Sequence, residues 1–291
     1  MKKVLVAAVQ MKMSWDIEDN LNKAEKLVRE AVEQGANIVL LPEFFQSPYF
    51  MQIQNYDYFK LAQSVDDSAY IRRFQVLAKE LNVVIPLSFF EKAGNVFFNS
   101  LVMIDATGEV IDLYRKTHIP DGHCYQEKFY FSPGDTGFKV FSTQFGNIGV
   151  GICWDQWFPE TARSLALMGA EMLLYPTAIG NEPILQHDSM PHWQNVMCGH
   201  AAANIMPVIA SNRIGTENEP SENSSMTFYG ASFIADETGT KVGMLDRESE
   251  GVIVHAFNLT DIADKRRSWG VFRDRRPECY EAINHMDFSR L

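Results

Sequence analysis

The sequence predicts a duplicated α/β domain: two sheets packed face to face, with helices on the outside. Three observations carry this. Short continuous apolar runs alternate with amphipathic stretches along the whole chain, the pattern of strands alternating with helices. The order strand, helix, strand, helix, strand, strand occurs twice. No linker, low-complexity tract or shift of composition divides the 291 residues, so they read as a single domain over 1–291.

Each element follows from local chemistry. Residues 4–9, all apolar, read as a buried strand. Residues 20–33 read as a helix, because Leu21, Ala24, Val28 and Ala31 share one face. Asn20 can cap its start and Gly35 can end it. Residues 38–41 form a continuous apolar run, as in a strand covered on both faces. Ile71, Phe74, Leu77, Ala78 and Leu81 mark a second helix, and residues 83–87 and 101–104 two further strands. The second half repeats the order. Residues 148–152 are a strand and 159–168 a helix, with Pro159 at its first position and Gly169 at its end. Residues 172–175 are a strand. Trp193, Val196, Met197, His200 and Ala201 mark a helix. Residues 208–211, 231–234 and 252–256 are strands, and the polar stretch 216–225 reads as a surface loop.

Composition bounds the function. With 46% hydrophobic and 22% charged residues the chain is globular rather than disordered. Lys+Arg is 26 against 37 Asp+Glu, a net charge of -11, which disfavours a nucleic-acid partner. The basic run from Lys265 to Arg276 is interleaved with Asp264, Asp274 and Glu278, so it reads as a solvated or subunit-contact segment. No apolar run reaches the ~20 residues of a membrane span. Cys124, Cys153, Cys198 and Cys279 are widely spaced, as expected of free thiols in a reducing cytoplasm. His187, His192, Cys198 and His200 match no compact zinc spacing.

Three segments look chemical. In Leu41-Pro42-Glu43-Phe44-Phe45 a carboxylate follows an apolar strand. A lone Glu there commonly faces solvent, but the carboxyl ends of α/β strands also gather ligands, and a Glu suits general-base work. The second segment is residues 114–122, with Lys116 and Asp121, followed by Tyr125-Gln126-Glu127-Lys128. Alone it reads as a charged surface connection. In the third, Cys153 ends an apolar strand a few residues before a helix begins at Pro159. Most free cysteines are small core residues. A strand-to-turn-to-helix position differs, because it presents the side chain at the top of the sheet beside backbone N–H groups. Such a thiol needs a base beside it, or a positive charge to lower its pKa.

Taken together, Glu43, Lys116 and Cys153 resemble the motifs of the carbon–nitrogen hydrolase (nitrilase) superfamily, from Val4 to about Tyr280. The resemblance implies a duplicated four-layer αββα sandwich of the nitrilase type, with no cofactor and no metal. It implies Glu43 as general base, Lys116 as stabiliser of the tetrahedral intermediate and Cys153 as nucleophile. It places Glu127 as a second glutamate near the site. Residues 114–122, 125–131, 153–160 and 177–180 are similar to the branch that removes a carbamoyl group from a diamine. One departure is His123-Cys124, where relatives commonly carry Pro-Gly; it alters the entrance loop and adds a thiol. Relatives acting on carbamoylated amino acids carry arginine soon after the nucleophile, whose fork suits a carboxylate. Here no Arg or Lys follows Cys153 until Arg163, which argues for a cationic substrate. Trp154, Trp157 and Tyr125 are candidates to pack along an aliphatic chain. Asp121, Asp155 and Glu182 are candidates, unranked, to meet a distal ammonium. The resemblance also implies a homo-oligomer, at least a dimer, formed through the helix after Cys153 and residues 269–276. The competing class is a non-catalytic small-molecule-binding protein of this fold.

Overall fold

Alternation along the first strand already separates two cores. Val4, Val6 and Ala8 belong to one buried cluster, and Ala7 and Val9 to another. The computed structural model describes residues 3–181 and 187–287. The first half runs β1 (Lys3–Gln10), α1 (Ile17–Glu33), β2 (Ile38–Leu40), α2 (Ala69–Leu81), β3 (Ile85–Ala93), β4 (Val96–Ile104) and β5 (Val110–Arg115). The short α3 (Glu127–Tyr130) and β6 (Lys139–Thr143) lead into the second half. This runs β7 (Gly146–Val150), α4 (Pro159–Leu167), β8 (Met172–Thr177), β9 (Gly180–Asn181), α5 (Met190–Asn204), β10 (Val208–Asn212), β11 (Ile214–Glu219), β12 (Ser224–Tyr229), β13 (Phe233–Ala235) and β14 (Lys241–Met244). The chain then returns through β15 (Gly251–Asn258) to α6 (Leu259–Trp269).

The duplication is visible in strand order. The second sheet is β14-β13-β10-β8-β7-β6, with β7, β8 and β10 parallel. In the first, β15-β1-β2 meets β3-β4-β5 where Ile38 bridges Val84 in parallel. Both sheets therefore run in the same order, each with an antiparallel edge strand (β15 or β6) beside its first parallel strand. The inner faces pack on each other: Val6, Leu40, Val84 and Leu101 of one sheet share a core with Val150, Leu174 and Ile209 of the other. The outer faces are covered by helices, with Leu27 and Phe74 over the first sheet and Leu165 and Trp193 over the second. Four layers result, αββα. Burying each such aliphatic side chain stabilises the fold by ~1.5–3 kcal/mol before entropy is counted.

Two expectations are corrected. The first helix starts at Ile17, three residues earlier than Asn20. Asp16 caps it by accepting from the Asp19 N–H, and Glu18 and Asp19 favour its positive end. Asn20 is buried and instead donates to the Ser14 and Gln46 carbonyls. The stretch 216–225 is the hairpin of β11 and β12 rather than a loop. Its polar residues misled because two of them point inward. Glu217 pairs with Arg213, and Glu219 accepts from the Tyr58 hydroxyl. Several strands run longer than their apolar cores, β3 and β4 most of all. Among the described residues no helix is long and apolar enough to cross a membrane.

Candidate active site

Glu43, Lys116 and Cys153 each lie just beyond the carboxyl end of a strand, β2, β5 and β7 respectively. Three separate loops therefore converge over the sandwich. Glu43 precedes a sharp turn in which Phe44 has φ 48, and Glu43 N–H donates to Thr177 O at 3.4 Å, reaching the second sheet. Lys116 is fixed by its backbone: its N–H donates to Asn99 O and its carbonyl accepts from Gly134 N–H, both at 2.8 Å. Glu127 opens α3.

The side chains meet in the interior. Lys116 Nζ lies 3.0 Å from Glu43 Oε1 and 2.7 Å from Glu127 Oε2, and all three are fully buried. Asn99 Nδ2 donates to Glu43 Oε1 at 2.7 Å, and Tyr49 OH donates to Glu127 Oε1 at 2.6 Å. Glu43 Oε2 is buried and hydrogen-bonds to no described residue. One ammonium thus serves two carboxylates. Burial holds the Glu127 carboxyl above its ordinary range; Lys116 opposes this and the Glu43 charge adds to it. Burial works against the Lys116 ammonium, but Glu127 and Glu43 outweigh it and keep the side chain firmly charged.

Cys153 occupies the predicted turn. Its φ of 42 lies in the left-handed region, as in a tight strand-to-helix elbow. Gly151 makes the elbow possible: a Cβ there would meet the Tyr175 ring at 2.7 Å and Asp155 Cβ at 3.1 Å. The thiol donates to Ala178 O at 3.7 Å. Burial pushes it well above its ordinary pKa, Glu43 pushes it further, and Lys116 pulls it back. A buried thiol of this kind needs a base beside it before it can react as a thiolate.

Above Cys153 opens a cavity of about 430 Å³. Trp154, Trp157 and Tyr125 line it, as does Asp121. Tyr125 also stands against Tyr49, with ring centroids 5.7 Å apart. Asp155 does not line it. It is fully buried and accepts from Ile152 N–H, His118 N–H and Tyr114 OH at 2.7–3.0 Å. It ties the Cys153 turn to the loop carrying Lys116. Glu182 lies outside the described residues. In the entrance loop Cys124 takes φ 60, a left-handed conformation that ordinarily favours glycine. His187 and His192 line the cavity, whereas His200 bonds to the Gln156 carbonyl. Among the described residues no group of three His, Cys, Asp or Glu converges as metal ligands.

Asn99 and Tyr49, which orient the two glutamates, escaped the sequence reading. Asn99 had a signal, a polar residue inside the apolar strand Val96–Ile104. Tyr49 had none, since only the fold brings it to Glu127, 78 positions away.

A sandwich of this topology with Glu, Lys and Cys at its strand ends defines a class, and comparison agrees. The chain belongs to the carbon–nitrogen hydrolase family, whose model matches residues 5–267. It is thus an enzyme of the carbon–nitrogen hydrolase type. Among curated relatives it is 56% identical to an N-carbamoylputrescine amidase of Arabidopsis thaliana, covering 98% of this chain and 97% of that one. It is 50% identical to a citrullinase of Francisella tularensis, covering 97% and 99%. A solved carbon–nitrogen hydrolase from Helicobacter pylori superposes with a TM-score of 0.91 at 34% identity, covering 98% and 99%. The yeast protein Nit3, of branch 10 of the nitrilase superfamily, superposes at 0.79 with 26% identity, covering 94% and 97%.

Proposed function

We propose that this chain hydrolyses N-carbamoylputrescine to putrescine, ammonia and carbon dioxide through a covalent cysteine intermediate, as a step of polyamine formation. The observation that carries the mechanism is Glu43 Oε2, a buried carboxylate oxygen that hydrogen-bonds to no described residue and whose charge acts on the buried Cys153 thiol. Glu43 takes the thiol proton as Cys153 attacks the ureido carbonyl. Lys116 and the backbone N–H after Cys153 hold the developing oxyanion, each donor worth ~3 kcal/mol. Glu43 returns the proton to the departing nitrogen, leaving a carbamoyl thioester. Water, activated by Glu43 or Glu127, hydrolyses it, which returns the thiol and releases a carbamate that breaks down to the second amine product and carbon dioxide.

The substrate rests on the relatives and on the cavity. Aromatic rings of Trp154, Trp157 and Tyr125 suit a methylene chain, and Asp121 suits a terminal ammonium. No described lining residue is Arg or Lys. The free cysteines fit a cytoplasmic enzyme. The citrullinase relative makes citrulline the second candidate, because it too ends in a ureido group. Ammonia release from N-carbamoylputrescine, citrulline, N-carbamoyl amino acids, simple amides and nitriles tests the reading. N-carbamoylputrescine is expected to give the highest kcat/KM; citrulline in first place would replace it.

A further inference from the structure

The mechanism leaves one buried ion pair unused. Arg213 follows the end of β10 in the second sheet, and its side chain is fully buried. Its guanidinium crosses to the loop of the first sheet that carries Glu43. Nη2 donates to the Glu43 carbonyl at 2.6 Å and the Phe44 carbonyl at 3.0 Å. Nη1 donates to the Ser47 carbonyl at 3.3 Å and to both oxygens of Glu217, at 2.8 and 2.9 Å. Glu217 Oε2 in turn accepts from Tyr49 N–H at 2.5 Å. The Tyr49 and Phe228 rings flank the guanidinium at 5.7 and 5.2 Å.

These contacts close a ring. Arg213 holds the Glu43 backbone; Glu43 meets Lys116; Lys116 meets Glu127; Glu127 accepts from Tyr49 OH; Tyr49 N–H meets Glu217; and Glu217 returns to Arg213. A buried cation stabilises little overall beyond repaying its own desolvation. This one is spent on the carbonyls of a turn whose second residue, Phe44, sits at φ 48. That turn sets where Glu43 Oε2 points.

We infer that Arg213, with Glu217 as its counter-ion, is a positioning residue for Glu43, joining the two halves of the duplicated fold at the proton-transfer step. The inference rests on the reading of Glu43 as the base. Lysine at position 213 keeps the charge but not the planar fork that reaches two carbonyls and a carboxylate at once. Misplacing a reacting group by about 1 Å can cost ~100-fold in rate.

The test measures kcat and KM on N-carbamoylputrescine for Arg213→Lys, Glu217→Gln, Glu43→Gln, Glu43→Asp and the double variant Glu43→Asp/Arg213→Lys. Arg213→Lys is expected to lower kcat about 100-fold with KM within a few-fold. Glu217→Gln keeps an uncharged acceptor for Arg213 and should lower kcat about tenfold, so it serves if the lysine variant does not fold. In the double variant Arg213→Lys should cost far less than in wild type, because the base it aligns is already displaced. Additive losses, a rise in KM alone, or wild-type kcat in a folded Arg213→Lys or Glu217→Gln protein would overturn the inference. Full turnover in Glu43→Gln would instead remove the reading of the base, and the same assay separates the two failures.

Discussion

Lys116 faces two carboxylates at once, so its charge satisfies one and leaves the other in a dry interior. Because burial holds the Glu127 carboxyl above its ordinary range, kcat/KM should fall on the acid side with a midpoint above the ordinary glutamate range. As pH drops through that point Glu127 gains a proton and no longer balances the Lys116 charge. In Glu127→Gln the group behind this limb is gone, so the limb should be missing from whatever activity remains. A pH–rate profile of both proteins checks this. Cys153→Ala should abolish turnover with the fold intact, and Cys153→Ser should be nearly inactive, an alcohol being the weaker nucleophile. Intact-mass spectrometry during wild-type turnover should show a transient carbamoyl adduct; near-full activity of Cys153→Ala would end the covalent mechanism.

The turn after β7 and the loop after β5 are separate pieces of chain, and Asp155 makes them one. Two backbone N–H groups, the Tyr114 hydroxyl and the His118 ring nitrogen, 2.7 Å away, all meet its two oxygens. Asp155→Asn would set an amide NH2 against them, costing about 2 kcal/mol or more. Thermal unfolding should show the loss, and kcat should fall, while the ratio of cationic to anionic substrate stays as in wild type. A stable variant that lost its charge preference would instead place Asp155 in contact with substrate. The hairpin of β11 and β12 shows why polar sequence is an unreliable sign of a loop. Glu217 and Glu219 lie on buried positions of a hairpin because Arg213, Tyr49 and Tyr58 wait for them.

Across the molecule the excess of acidic residues is mostly solvated, and only what lines the cavity selects substrate. Asp121 is the acidic side chain among the described lining residues. N-carbamoylputrescine should exceed N-carbamoyl-4-aminobutyrate in kcat/KM by at least ~100-fold, since burying an unpaired carboxylate there costs several kcal/mol. Asp121→Asn should shrink that ratio, mainly through KM. An equal or reversed ratio would sink the diamine substrate but leave the family untouched. At the far end of the chain, Trp269 is 72% exposed and Ile283 is 64% exposed. A surface of this kind is expected to be covered by a second copy, together with α4. Light scattering at working concentration should give at least a dimer, and a monomer would refute that.

The sequence by itself determined the duplicated order of strands and helices and, through the resemblance its motifs carry, the four layers and the loops bearing Glu43, Lys116, Glu127 and Cys153. These rest on local periodicity, on stop signals such as Gly35, and on motifs short enough to read in line. The tertiary structure alone decided what each polar residue does. Asp121 and Asp155 looked equivalent in the sequence, yet one lines the cavity and the other is sealed beneath it. Asn99, Tyr49 and Arg213 gained their roles from partners 56 to 170 positions away. Hydrophobic pattern is a property of neighbours along the chain. A hydrogen bond in a dry interior is a property of neighbours in space, and only the folded sheets bring those together.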